Sequence, residues 1–194
     1  MNSDITNILL VGVGGQGILL ASEILSEVLM LVGYDVKKSE IHGMSQRGGS
    51  VVSHVRYGKE VFSPIVPEGE GDVLFGFELM ETCRAMQLLR PGAKVIANNL
   101  RILPPSVLVG KESYPDGLEN IIQERFPDFL LVDGQKLAND AGNPKTANTA
   151  LLGAVSRRLD IAEEVWFDAL RAMVSEKVLD VNIRAFKLGR EYAS

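Results

Sequence analysis

The sequence is poor in the residue types that hold metals and disulfides. Its 194 residues include one cysteine, Cys83, and two histidines, His42 and His54. One cysteine cannot form an internal disulfide or hold an iron–sulfur cluster alone, and this set offers no convincing zinc site. We therefore expect a chain that lives in a reducing compartment and binds no metal by itself.

Basic charge and long apolar runs are also scarce. The net charge is -5 and the pI is near 5.1, which argues against nucleic acid as the main partner. The most apolar stretch, residues 18–32, contains Glu23 and Glu27, so it favours an amphipathic helix over a membrane span. The opening MNSD lacks the basic segment of a secretory signal. We expect a cytoplasmic protein that needs no membrane.

The most informative stretch is an apolar strand followed by a glycine-rich turn and a helix. Residues 8–11 are consecutive aliphatics, which is typical of a strand buried on both faces. Gly12, Gly14 and Gly17 then form a G-x-G-x-x-G pattern, and the helix N terminus behind it offers N–H groups to a phosphate or carboxylate. From the motif alone, a turn that only lets strand and helix pack closely is an equally good interpretation.

Strands alternate with helices along the rest of the chain. Strand composition is found at 34–39, 50–57, 72–77, 94–97, 107–109 and 129–132, and helical patterns at 78–89, 118–126, 147–158 and 181–192. Gly58-Lys59 predicts a hairpin turn between residues 50–57 and 61–63, and Asp160 with Glu163 predicts a capping box. The alternation predicts an α/β fold with an open, mostly parallel, Rossmann-like sheet flanked by helices and a β-hairpin.

The loop at residues 40–49 could meet the glycine turn at the carboxyl ends of the strands, where ligands of such sheets bind. Arg47, followed by Gly48-Gly49, suits an anion because a guanidinium beside flexible backbone amides makes a phosphate site. Bracing the loop or pairing across a subunit interface is an equal alternative for Arg47. His42 is a candidate base, although a lone loop histidine more often packs or hydrogen-bonds.

Four further side chains have simpler structural interpretations. His54 and Arg56 share one face of a strand by alternation, which suits an exposed or interface face. Glu78, after a buried strand, is expected to cap a helix in preference to binding a ligand. Cys83 is expected to be a small buried residue of its helix.

A nicotinamide dinucleotide site is one functional alternative. Glu40 lies 28 positions after Gly12, a tolerable distance for the acid that binds the ribose. However, Glu40 opens a loop rich in Gly, Ser and Gln instead of ending an apolar strand, and no hydride-transfer residues are evident beyond it. An independent dinucleotide-binding reductase module is therefore the less favoured hypothesis.

The glycine turn and the following blocks resemble the γ-type subunits of the 2-oxoacid:ferredoxin oxidoreductases. Residues 11–18, VGVGGQGI, match the family signature G-x-G-G-Q-G before an apolar helix, and EIHGMSQRGGSVVSHVR at 40–56 is closer still to the small β subunit of indolepyruvate:ferredoxin oxidoreductase. Further matching blocks lie at 72–78, 89–98, 141–148, 151–153 and 182–189. The resemblance covers nearly the whole chain and implies a single γ-type domain over 1–194.

This resemblance implies a share in the oxidative decarboxylation of an arylpyruvate with coenzyme A, which gives arylacetyl-CoA, carbon dioxide and reduced ferredoxin. Thiamine diphosphate and the iron–sulfur clusters would belong to a large partner subunit, through which ferredoxin is reached. Residues 132–134, VDG, differ from the G-D-G that opens a thiamine diphosphate motif. The resemblance therefore implies a chain with no catalytic residue of its own and no activity alone.

The resemblance also implies a cofactor-binding set for the phosphates of coenzyme A. Gly14, Gly15, Gln16 and Gly17 would supply donors, Arg47 the positive charge, and Ser45 and Gln46 neutral hydrogen bonds. Two alternatives stay open within this family: a γ subunit for 2-oxoglutarate or another 2-oxoacid, and a purely structural subunit that touches no ligand.

Overall fold

The computed structural model describes residues 5–43 and 48–193, with the backbone alone at His42. The strands are β1 (Ile5–Val13), β2 (Asp35–His42), β3 (Ser50–Gly58), β4 (Gly71–Gly76), β5 (Leu89–Asn98) and β6 (Leu130–Val132). The helices are α1 (Ile18–Leu31), α2 (Leu79–Ala85), α3 (Pro105–Leu108), α4 (Leu118–Arg125), α5 (Gly134–Ala141), α6 (Ala147–Ser156), α7 (Glu163–Met173) and α8 (Glu176–Tyr192).

The strands form one open sheet in the order β2-β3-β1-β4-β5-β6. Strands β1, β4, β5 and β6 run parallel, while β3 is antiparallel to both β1 and β2. This confirms the predicted open, mostly parallel sheet flanked by helices. The carboxyl ends of the parallel strands, the end of β2 and the start of β3 lie at one edge, where the glycine turn follows β1.

The predicted partner of the hairpin strand is wrong. Strand β3 forms its hairpin with β2 instead of with residues 61–63, which have no strand structure. Hydrogen bonds to side chains, and not strand pairing, hold that segment. The amide of Val61 donates to Asp35 Oδ2 at 2.8 Å, and Arg56 Nη1 donates to the Ser63 carbonyl at 2.9 Å.

Two other predictions of local structure fail, and a predicted last helix is present but begins earlier. Residues 107–109 belong to the short helix α3 and its C terminus, because Pro105 at its first turn suits a helix start. Helix α7 has Ala162 at its N-cap with no side-chain cap hydrogen bond, so the predicted capping box is absent. Helix α8 begins at Glu176, five residues before the predicted start at Val181.

One face of the sheet, termed here the helical face, is covered by α1 and α5–α8. Its apolar cluster joins sheet residues such as Ile8 and Phe75 to Trp166 and Phe186 of the helices. Helices α6 and α8 cross so closely that a Cβ at Gly189 would overlap the Ala150 carbonyl oxygen. A second cross-link between these helices is the hydrogen bond from Thr149 Oγ1 to Asn182 Oδ1 at 2.6 Å.

The opposite face, termed here the irregular face, is covered by α2, α4 and the segments 59–70 and 99–117. Its smaller cluster includes Leu9, Leu74 and Val95 of the sheet. His54 lies on this face and is only 4% exposed, and its Nδ1 accepts from the Val66 amide at 3.1 Å. The prediction of an exposed face for His54 is therefore wrong, because segment 59–70 covers it.

None of the helices in the described residues is both long and apolar enough to cross a membrane.

Candidate functional site at the glycine turn

The turn after β1 depends on glycine for two different reasons. Gly15 and Gly17 have φ of 99° and 76°, which is the left-handed region that other residues rarely adopt. At Gly12 the reason is space, since a Cβ there would lie 2.6 Å from Gln16 Oε1 and 2.8 Å from Phe77 Cβ. Gly17 is the N-cap of α1, so the turn delivers the chain directly into that helix.

The side chain of Gln16 ties together the ends of two parallel strands. Its Oε1 accepts from the Val13 amide at 2.6 Å, and its Nε2 donates to the Phe77 carbonyl at 3.0 Å. Val13 ends β1 and Phe77 follows β4. The carboxamide therefore performs a bracing role, whereas its predicted contact with coenzyme A stays a prediction.

Two asparagines extend this bracing across the sheet edge. Asn98 Nδ2 donates to the Phe77 carbonyl at 3.4 Å, and Asn98 Oδ1 accepts from the Gly134 amide at 3.0 Å. Asn148 Nδ2 donates to the Gln16 carbonyl at 2.6 Å. We call Gln16, Asn98 and Asn148 the carboxamide seam. Sequence reasoning did not single out either asparagine, although both lie in the blocks 89–98 and 141–148 that carried the family resemblance.

Some backbone donors of the turn are already used inside the protein. The amide of Gly14 donates to the Gly49 carbonyl at 2.8 Å, and the amide of Gln16 donates to the Val13 carbonyl at 3.2 Å. The amides of Gly15 and Gly17, with the first turn of α1, are therefore the better candidates for binding an anion. Within the predicted set Gly14–Gly17, the candidate backbone donors are therefore Gly15 and Gly17.

An open cleft lies against the turn. It has a volume of about 350 Å³ and is lined by Val13, Gly14, Gly15, Gly17, Ile18, Leu19 and Val51. A second cleft of about 190 Å³ also reaches Val13 and is lined by Met80, Glu81 and Arg84 of α2 and by apolar residues between 102 and 108. The turn thus borders open space large enough for a phosphate group, in addition to its contacts with Gly49 and Asn148.

The loop between β2 and β3 contacts the turn at its C-terminal end. The amide of Gly48 donates to the Gly14 carbonyl at 3.5 Å, and the amide of Gly43 donates to the Ser50 carbonyl at 2.9 Å. Ser45, Gln46 and Arg47 lie outside the described residues, as does the side chain of His42. Their predicted roles stay predictions, although the flanking glycines place both ends of this loop at the same sheet edge.

Glu78 has the structural role that the sequence predicted, whereas Cys83 is half-buried and not buried as predicted. Glu78 is fully buried and caps α2, accepting from the Glu81 amide at 2.9 Å. Its other oxygen accepts from the Ile102 amide at 3.2 Å and from the Tyr114 hydroxyl at 2.5 Å. Burial, with the charge of Glu78, raises the pKa of the Cys83 thiol to about 11, so this half-buried cysteine is a poor nucleophile.

The position of Glu40 disfavours a nicotinamide dinucleotide site. In the dinucleotide-binding fold, the acidic residue that binds the ribose ends the second parallel strand. This strand follows the first helix and lies next to the first strand. Here the strand after α1 is β2, which is antiparallel to β3 and separated by it from β1. Glu40 lies within this edge strand and pairs with Lys38 at 3.3 Å. Among the described residues, no group of three or more His, Cys, Asp and Glu could hold a metal ion.

Comparison with known proteins decides the family. Residues 7–192 match the pyruvate ferredoxin/flavodoxin oxidoreductase family. The chain belongs to this family. Its relatives include the indolepyruvate oxidoreductase subunit IorB of Thermococcus kodakarensis, 43% identical over 94% of this chain and 93% of that protein. IorB of Archaeoglobus fulgidus is 38% identical over 96% of this chain and 94% of that protein.

Solved structures of this oxidoreductase family share the fold. The γ subunit of a keto/oxoacid ferredoxin oxidoreductase from Geobacter sulfurreducens gives a TM-score of 0.70 at 24% identity, covering 97% of this chain and 98% of that one. The 2-oxoglutarate:ferredoxin oxidoreductase from Magnetococcus marinus, with 2-oxoglutarate, coenzyme A and succinyl-CoA bound, gives 0.75 at 20% identity. It covers 99% of this chain but 31% of that one, so this fold is one part of a larger polypeptide there.

Proposed function

We propose that this chain is the small subunit of an indolepyruvate:ferredoxin oxidoreductase. The complex would convert an arylpyruvate and coenzyme A to arylacetyl-CoA and carbon dioxide, with two electrons passing to ferredoxin. Support comes from the relatives named indolepyruvate oxidoreductase subunit IorB, which are 35% to 43% identical and match over nearly their whole length. The γ subunit of the pyruvate/ketoisovalerate oxidoreductases from Thermococcus litoralis is more distant at 25% identity, which disfavours a chain dedicated to another 2-oxoacid.

The redox chemistry would reside in a large partner subunit. Thiamine diphosphate bound there would supply the electron sink for decarboxylation, and iron–sulfur clusters would carry the electrons to ferredoxin. This chain has one cysteine in its whole sequence, short of the four thiolates that a cluster needs. Its own contribution is therefore to bind and orient a substrate and to complete the complex, as one domain over 1–194 in the cytoplasm.

We propose that the glycine turn binds a phosphate of coenzyme A. The observation that carries this is the left-handed path of Gly15 and Gly17 into α1, beside an open cleft. The N terminus of a helix carries a partial positive charge and amides without helical partners, both of which suit a phosphate. Arg47, with Ser45 and Gln46, would add charge and neutral hydrogen bonds from the neighbouring loop.

Replacing Arg47 by alanine in the assembled complex tests the coenzyme A site. A hydrogen bond to a charged group contributes about 1.5–3 kcal/mol, so we expect the KM for coenzyme A to rise about tenfold or more. The KM for indolepyruvate and the assembly of the complex should not change. Arg157→Ala is the matched control, because Arg157 is exposed at the C-terminal end of α6, away from the turn.

Three outcomes would redirect the proposal. An unchanged KM for coenzyme A with normal assembly would favour the purely structural subunit. Turnover of a panel of 2-oxoacids with a ferredoxin acceptor tests the substrate class separately, and a preference for 2-oxoglutarate or pyruvate over indolepyruvate would overturn it. Tight NAD binding by the chain alone would favour the dinucleotide-binding module.

A further inference from the structure

We propose that Asn148 is a positioning residue that sets the direction of the Gly17 amide in the glycine turn. It is separated from the turn by 132 residues of sequence, yet its Nδ2 donates to the Gln16 carbonyl at 2.6 Å. No part of this role follows from the glycine motif itself. The inference deepens the proposed function, because it concerns the same turn that we propose for coenzyme A.

The geometry of the peptide bond gives this contact its effect. The carbonyl of Gln16 and the N–H of Gly17 belong to one planar unit, and in a trans peptide they point in opposite directions. The structure has no cis peptide among the described residues. A hydrogen bond that fixes the Gln16 carbonyl toward Asn148 therefore fixes the Gly17 N–H on the other side. It also polarises that peptide unit, which strengthens the N–H as a donor.

Free rotation of this peptide unit would otherwise be easy. Gly15 and Gly17 flank Gln16, and glycine has more accessible backbone conformations than any other residue. On its side chain, Gln16 is held by Val13 and Phe77, but those contacts do not restrain its carbonyl. Asn148 supplies that missing restraint. A side chain at Gly17 would itself clash with Asn148 Nδ2, so the asparagine can approach only because position 17 is a glycine.

The platform behind Asn148 is rigid. Asn148 lies in the first turn of α6, whose next residue, Thr149, is bound to Asn182 of α8 at 2.6 Å. Farther along, a Cβ at Gly153 would overlap the Phe186 carbonyl oxygen of α8, so the two backbones are in direct contact. The packing of these two helices thus fixes the position of Asn148 Nδ2, and one hydrogen bond from this atom restrains the turn.

Hydrogen exchange and kinetics on the assembled complex test this role. Asn148→Ala removes the donor, and Asn148→Asp removes it while keeping the side-chain volume. In both variants we expect faster amide exchange in residues 14–19 without coenzyme A, and unchanged exchange in the β1 and β4 strands. We also expect the KM for coenzyme A to rise about two- to tenfold, the range for one hydrogen bond, with kcat and the KM for indolepyruvate unchanged. Asn139→Ala, at an exposed position of α5, is the control that should change nothing.

The outcomes separate this inference from the proposed function. Unchanged exchange at residues 14–19 in both variants would overturn the positioning role, whatever the kinetics. Faster exchange with an unchanged KM for coenzyme A, in these variants and in Arg47→Ala alike, would support the positioning role and overturn the coenzyme A site. If Asn148→Asp behaves as wild type while Asn148→Ala does not, the side chain acts through packing and the proposed hydrogen bond is not responsible.

Discussion

Both faces of the sheet bury an apolar cluster, but the segments that cover them are held in place differently. The helical face is closed by long helices that pack apolar side chains and, at Gly153 and Gly189, bring backbones into direct contact. The irregular face is closed by short helices and by segments without regular structure. There, buried polar side chains hold the covering segments by hydrogen bonds. Glu78 binds Ile102 and Tyr114 of segment 99–117, and His54 binds Val66 of segment 59–70.

This difference matters for the glycine turn, which is hydrogen-bonded to a helix of the helical face. A phosphate site gains from donors whose positions are fixed before the ligand arrives, and Asn148 gives the turn such support from α6. On the irregular face, Leu108 and Val109 at the end of the short helix α3 are 68% and 67% exposed. Apolar contacts tolerate small shifts of the side chains. A buried polar group such as Glu78 or His54, by contrast, lowers the stability of the fold once it loses its hydrogen-bond partner.

The largest effect should come from the helical face, at the crossing of α6 and α8. Gly189→Ala would place a methyl group on the Ala150 carbonyl oxygen, so the two helices must move apart. We expect the free energy of unfolding to fall by about 3 kcal/mol, at the upper end of overpacking effects. Alanine's better helix propensity offsets about 1 kcal/mol of the gross cost. Denaturant unfolding of the purified chain measures the net change.

Gly110→Ala is the control for that variant. Gly110 has φ of 72°, and a Cβ at this position would meet no other atom within 4 Å. Its replacement therefore adds backbone strain of about 1 kcal/mol without a clash. If Gly189→Ala were neutral or stabilising, as helix propensity alone predicts, the close contact of the two backbones would be refuted.

A smaller loss is expected on the irregular face, at Glu78. Glu78→Ala leaves the amides of Glu81 and Ile102 and the Tyr114 hydroxyl without their acceptor. We expect the free energy of unfolding to fall by about 2 kcal/mol, since each buried unsatisfied group is costly. Glu78→Gln keeps a carbonyl oxygen and the volume, so it should lose about half as much.

Tyr114→Phe separates the anchor from the helix cap. It removes one of the donors to Glu78 and leaves the cap to Glu81 intact, so its cost should be below that of Glu78→Ala. Proteolysis within residues 99–117 should become faster in Glu78→Ala and in Tyr114→Phe. Equal stability of wild type and Glu78→Ala would contradict the view that polar anchors close this face.

The same contrast explains what the sequence could predict. Helices α1, α6 and α7 carry apolar residues at helical spacing, and β1 and β4 are apolar runs, so local periodicity is enough to predict them. Periodicity wrongly predicts a strand at 107–109 and the second strand of a hairpin at 61–63. The position of residues 61–63 depends on side-chain contacts, such as Asp35 to Val61 across 26 residues and Arg56 to Ser63, which periodicity does not report.

For the candidate site, the sequence predicted the turn but not its supports. The glycine pattern announces a sharp turn and a helix start, because only glycine suits those backbone angles. Nothing in the pattern tells whether Gln16 points to a ligand or braces the strands, and the structure shows bracing contacts to Val13 and Phe77. Asn98 and Asn148 lie far from the turn in sequence, so only the folded chain brings Asn148 to Gln16 and Asn98 to the neighbouring Phe77.

The smallest effect should come from His54, the other polar anchor of the irregular face. Burial, with the charge of Arg56, lowers the pKa of this histidine below 6.5. The folded state therefore favours the neutral ring, and its stabilisation is complete above pH 6.5 and declines as the pH falls toward the lowered value. His54→Asn offers a carbonyl oxygen to the Val66 amide and cannot titrate. Between pH 7 and pH 5, we expect wild type to lose more stability than His54→Asn, by about 1 kcal/mol or less.

Urea unfolding at both pH values measures this difference, to which His42, common to both proteins, adds nothing. Parallel losses would mean that the ring of His54 is not the group that couples segment 59–70 to pH.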